Sequence, residues 1–192
     1  MLHATYRKQL LGQVKGFDAG RREVQALASQ ALHASKRAIF AFHREDMKEA
    51  DKLVLQAKTA LQAGWKIIKK QPNLAHEGSW RAAQEEYVEA SLLKQYLEEG
   101  KLDKVKDVAD EPDIFLGGFS DLTGELTRRA VMLAGEGRFG EVETIFQNVR
   151  SCVDFLLEMD LTGHLRTKVD QAKSNLRKLE EIRYDISMRK RV

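Results

Sequence analysis

Only two prolines, Pro72 and Pro112, interrupt this chain of 192 residues, and that scarcity constrains the fold more than any other feature. Proline removes an amide donor and clashes with the preceding helical turn, so the stretches between them can run as long helices. No segment opposes this by combining β-branched enrichment, period-two alternation and hairpin turns. Apolar spacing predicts helices over about 6–43, 45–70, 79–99, 113–134, 139–159 and 165–188, with a short one over 101–109. Ser79 reads as the N-cap of the third and Gly100 as its C-terminal stop. Gly12, Gly16 and Gly20, four residues apart, either loosen the first helix or let a neighbour approach closely. The expectation is one all-α domain over 1–192.

Hydrophobic residues at 43% and charged residues at 32% suffice for a sizeable core under a soluble surface, which sets disorder aside. The net charge of +3 is too small to name a nucleic-acid partner by itself. No apolar run approaches the ~20 residues of a membrane span, and Met1 to Gln13 lacks the apolar core of a signal peptide. No membrane partner is expected. The single cysteine, Cys152, excludes an intrachain disulfide, fits a cytoplasmic location and reads as a small buried hydrophobe.

Two acidic doublets stand out against this helical background. Glu86/Glu89 and Asp121/Glu125 are each spaced so that both members share a helix face. At about 100° per residue, one stripe of the third helix collects Ala82, Ala83, Glu86, Glu89, Ala90, Leu93, Tyr96 and Leu97. Arg81, Gln84, Glu85, Gln95, Glu98 and Glu99 fall opposite, with Val88 as the exception. Asp121 and Glu125 flank the stripe formed by Phe115, Gly118, Phe119, Leu122, Leu126 and Leu133. An unpaired carboxylate on an apolar stripe is costly or protonates, so such acids need a partner. Two helices that each supply two carboxylates can build an oxygen-ligand site for Mg²⁺ or Mn²⁺. The same spacing also fits solvated faces, or a buried Glu paired with an arginine such as Arg129. His3, His33, His43, His76 and His164 show no ligand spacing, so iron and zinc are not expected and each reads as structural or surface.

Arg21-Arg22, Lys36-Arg37, Arg128-Arg129 and Arg183 with Arg189-Lys190-Arg191 are local basic clusters. They are ordinary surface charge on the plain reading and phosphate contacts on the functional one. Trp80, beside Arg81, is placed to stack on a base, whereas Trp65 reads as core. Gly117-Gly118 lies inside a helix and reads as close helix packing rather than a phosphate cradle.

The string Glu86-Tyr87-Val88-Glu89-Ala90, followed by Asp121-Leu122-Thr123-Gly124-Glu125-Leu126, resembles the translin family, and within it the factor-X type. Ser35-Lys36-Arg37-Ala38-Ile39-Phe40 with His43-Arg44 resembles the family's first-helix motif, and Leu179-Glu180-Glu181-Ile182-Arg183-Tyr184-Asp185-Ile186-Ser187 its tail. The likeness extends over about 21–189. It implies a seven-helix fold that assembles into a closed, barrel-like homo-oligomer, typically an octamer. It further implies an endoribonuclease that cleaves single-stranded RNA with Mg²⁺, Mn²⁺ being the alternative ion. By motif position, Glu86, Glu89 and Asp121 are the implied catalytic acids and metal ligands, with Glu125 an adjoining ligand. Lys36, Arg37 and Arg128 are the candidates for nucleic-acid contact, and single-stranded DNA is a second candidate partner. The alternative is a translin-like oligomer that binds single-stranded RNA or DNA without cleaving it. The lack of a long N-terminal extension and the short stretch 101–113 are similar to compact prokaryotic members.

Overall fold

The computed structural model describes residues 2–189; Lys190 and Arg191 of the C-terminal basic cluster lie outside them. Its elements are α1 (Ala4–His43), α2 (Met47–Ile68), a 3-10 helix (Pro72–His76), α3 (Gly78–Glu99), α4 (Pro112–Gly135), α5 (Phe139–Leu157) and α6 (Gly163–Arg189). No strand occurs among the described residues. Both prolines stand in the first turn of a helix, where a missing amide breaks no intrahelical bond.

Among the described residues six α-helices thus stand where seven were expected, because the short helix over 101–109 does not form. That segment is an irregular strap. The Ala109 amide donates to Gln84 Oε1 at 2.7 Å, and Trp65 Nε1 donates to the Asp107 carbonyl at 3.2 Å. Val105 is buried in the core, and Asp107 turns the backbone with a φ of 70°, a left-handed kink no α-helix accommodates. Helix α3 also starts one residue before Ser79, with Glu77 at the cap position. The Glu77 carboxylate does not cap; it ties α3 to α1 through Arg21 at 2.9 Å and Gln25 at 3.3 Å. Gly100 does end α3, in the left-handed conformation at φ 64°.

Buried positions on α1 recur at Val24, Ala28, Ala31, Ser35, Ala38 and Phe42, an alternating four-and-three spacing that makes one continuous seam. Most are small, so α2 and α3 pack close along it. A Cβ at Gly12 or Gly16 would face open space, and α1 runs through both unloosened; a Cβ at Gly20 would meet the side chain of Gln71, whose Nε2 donates to the Gly16 carbonyl at 3.3 Å. Helix α4 is central, touching α3, α5 and α6. Gly118 permits its crossing with α3: a Cβ there would lie 2.5 Å from the Glu85 carbonyl oxygen and 2.7 Å from Val88. The crossing sets the two acidic doublets side by side. No helix among the described residues is long and apolar enough to cross a membrane.

Candidate carboxylate site

Four helices supply the site. Along α1, Lys36, Phe40 and His43 recur on one face; Asp121, Glu125 and Arg128 recur likewise on α4. Helix α3 adds Glu86 and Glu89, and α6 adds Lys168.

Glu89 is only 7% exposed and makes no hydrogen bond or ion pair with any described residue. Burial, and then the charges of Glu86, Asp121 and Glu125, push its carboxyl up to about 9, with Lys168 opposing. Without a cation nearby, it holds a proton at neutral pH. Glu86 is also pushed up, chiefly by burial, while the Lys36 ammonium 3.8 Å away pulls it back.

The two acids of α4 are differently placed. Glu125 Oε2 lies 2.5 Å from Nε2 of the buried His43 and 3.8 Å from the Arg128 guanidinium, which itself sits 4.7 Å over the Phe40 ring. Asp121 accepts a hydrogen bond from Lys168, whose ammonium also lies 3.5 Å from Glu85. Burial drags Lys168 down, yet Asp121 and Glu85 more than offset it and hold the ammonium above its ordinary value.

Of the residues singled out in the sequence, Glu86, Glu89, Asp121, Glu125, Lys36 and Arg128 therefore come together. Arg37 does not; it turns toward α2 and lies 3.6 Å from Glu49. Arg129 pairs with Glu45 at 3.5 Å, so the acids are not neutralised by the arginine on their own helix stripe. Trp80 cannot stack on a base: it is fully buried, edge-on to Trp65 at 5.4 Å and seated over Gly64. Gly117 and Gly118 serve close packing against Glu85 and Val88, as expected. Sequence reasoning missed His43, Lys168 and Glu85. For His43 a signal existed, since it shares a helical face with Lys36; for Lys168 there was none, because its neighbours are 47 and 83 residues away.

Oxygen-only donors on a half-buried face are of the kind that suits a hard divalent cation, and the ionised form of the buried Glu89 carboxylate calls for a compensating partner. No three His, Cys, Asp or Glu side chains among the described residues already converge as a ligand set. The α4 acids are instead engaged by His43 and Lys168.

A family model described as "Translin family" matches residues 19–190. The fold is similar to the solved structure titled "Crystal structure of apo-NeC3PO", with a TM-score of 0.86 and 24% identity over 96% of this chain and 97% of that one. It is similar to "Structure of AfC3PO - duplex RNA complex", with a TM-score of 0.86 and 22% identity over 95% and 97% of the two chains. It also resembles "Crystal structure of AfC3PO", with a TM-score of 0.85 at 22% identity over the same shares. No curated protein sequence matches this chain.

Proposed function

The chain belongs to the translin family, and on that premise we propose that it is a Mg²⁺-dependent endoribonuclease of the factor-X type, acting as a homo-oligomer on single-stranded RNA. The observation that carries this reading is Glu89, a buried carboxylate with no hydrogen-bond or ion-pair partner among the described residues, in the field of Glu86, Asp121 and Glu125. A subunit that only bound RNA would gain nothing from four carboxylates gathered on one face, since they repel phosphate.

Glu86, Glu89 and Asp121 would hold the cation, with Glu125 completing the set or orienting a water. When bound, Mg²⁺ would supply the charge that polarises the scissile phosphate and acidifies a water. The chain's own part is preparatory. To hold a cation Glu89 would have to release its proton to solvent, and Asp121 would have to give up its Lys168 partner. His43 fixes the direction of the Glu125 carboxylate. Lys36 and Arg128, which lie beside Glu86 and Glu125, would hold the RNA backbone; Arg37, turned toward Glu49, would not share that task in one subunit.

One related structure is titled a duplex RNA complex, which supports RNA as the ligand class and makes strandedness a thing to measure. A second reading, a translin-like RNA-binding oligomer without cleavage, is favoured by the pairing of both α4 acids with His43 and Lys168. The deciding experiment is cleavage of fluorescent single-stranded and duplex RNA, with Mg²⁺ and with EDTA, by wild type and Glu89→Ala. Metal-dependent cutting that the still-folded variant lacks supports the nuclease. Binding without cutting, equal in both proteins and indifferent to EDTA, sinks it in favour of the carrier.

A further inference from the structure

Lys168 is the least exposed of the three cations that reach the acidic face. Its side chain is 17% exposed, against 52% for Lys36 and 44% for Arg128. It also belongs to no acid's own helix. From α6 it reaches Asp121 on α4 and Glu85 on α3, and His164, one turn back, lies 3.4 Å from the same Glu85. Glu85 is wedged against Gly117 at the helix crossing, so this ammonium bridges the elements that carry the two doublets.

We propose that Lys168 is a resident counter-ion of the carboxylate site, occupying Asp121 in competition with a divalent cation, and that it limits the site's metal affinity. This rests on the metal-site reading above. The physical argument is exclusion of charge. One carboxylate oxygen cannot serve an ammonium and a divalent cation at full strength, and two cations at that separation in a half-buried setting repel. Loading Asp121 therefore requires the ammonium to withdraw, and Glu85 is its standing alternative partner. Lys36 and Arg128 are not equivalent, because their exposed heads are screened by water and can swing away at little cost.

The test is Mn²⁺ binding, read by electron paramagnetic resonance and calorimetry, in wild type, Lys168→Gln, Lys168→Arg and Glu89→Gln. A neighbouring opposite charge moves a carboxylate's affinity for a competing proton by tenfold or more; Lys168→Gln should therefore bind Mn²⁺ about tenfold tighter, while Lys168→Arg stays near wild type. The Mn²⁺ dependence of the thermal melts adds a readout that a merely structural lysine would not move. Lys168→Gln should melt below wild type in EDTA, and the gap should close in saturating Mn²⁺. If Lys168→Gln binds Mn²⁺ no tighter while wild-type binding is still lost in Glu89→Gln, the counter-ion proposal alone fails. If no Mn²⁺ binding sensitive to Glu89→Gln exists in any of the proteins, the metal reading falls and takes this proposal with it.

Discussion

The two acidic doublets are alike in sequence and opposite in circumstance. On α4, Asp121 and Glu125 have been given protein partners, Lys168 and His43, each from a different helix. On α3, among the described residues, Glu89 has none and Glu86 has an exposed lysine at 3.8 Å. The difference follows from position: Asp121 and Glu125 are partly exposed and within reach of basic groups on α6 and α1, while the Glu89 side chain is buried. One half of the site is neutralised by the fold, and the other is left short of positive charge.

The most damaging way to break this asymmetry is Glu89→Gln, which keeps the shape and removes the charge. Under the nuclease reading, Mg²⁺-dependent cleavage should fall by more than about 100-fold, several kcal/mol of lost transition-state stabilisation. The stability of the metal-free protein should move the other way. Because the folded carboxyl titrates at about 9, above its unfolded range, its proton favours the folded state. That contribution is fully present below about pH 4.5 and is lost as the pH rises through 9. Wild type in EDTA should accordingly weaken between these limits, and Glu89→Gln should weaken less. Denaturant melts at several pH values, with and without Mg²⁺, check the sign.

Next in size is Gly118→Ala, which attacks the crossing rather than the charges. The added methyl would meet the backbone of Glu85, which cannot swing aside, at 2.5 Å. Overpacking of this kind costs about 1–3 kcal/mol, visible as a lower denaturant midpoint. It should also push α3 and α4 apart and weaken Mn²⁺ binding. Gly12→Ala, facing open space on the same kind of helix, should gain slightly from helix propensity and serve as the control. His43→Ala comes third. It removes a buried ring and frees Glu125, so a loss of about 2 kcal/mol is expected, smaller if water refills the space. With both doublets then partly unpaired, added Mg²⁺ should restore more stability to this variant than to wild type.

How far the sequence carried this picture depends on which link is asked about. Helices were legible because two prolines and a regular apolar spacing leave few alternatives, and Gly100 stopped α3 where a glycine should. The strap 101–111 was not, because it is fixed by Gln84 and Trp65 from elsewhere in the chain rather than by its own pattern. The wheel put Glu86 and Glu89 on one stripe, yet Glu89 is the more buried, and Gln84 and Val88 on the outer side are buried as well. A single stripe describes a helix with one neighbour; α3 packs on both α1 and α4, so its burial wraps round. The carboxylates could be read because their spacing is local. Lys168 could not, since it meets them only through tertiary packing, while His43 left only the signal of the helical face it shares with Lys36.

The smallest expected effect tests the rim. Lys36 and Arg128 lie 3.8 Å from Glu86 and Glu125, with exposed side chains in each case. Exposed pairs of this kind contribute about 0–1 kcal/mol, so Lys36→Ala with Arg128→Ala should leave the melting temperature nearly unchanged. Arg128 has a further contact, its stacking over Phe40, and should account for most of whatever stability is lost. RNA affinity is where the pair should matter. If both hold phosphates, the double variant binds single-stranded RNA several-fold more weakly, and its salt dependence becomes shallower by about one to two released counterions. Arg37→Ala, on the α2 side, should change neither within an isolated subunit's surface. A fluorescence-anisotropy titration over a salt series separates these cases. Equal slopes in wild type and double variant would place the RNA path away from the acids, and with it the chemistry assigned to them.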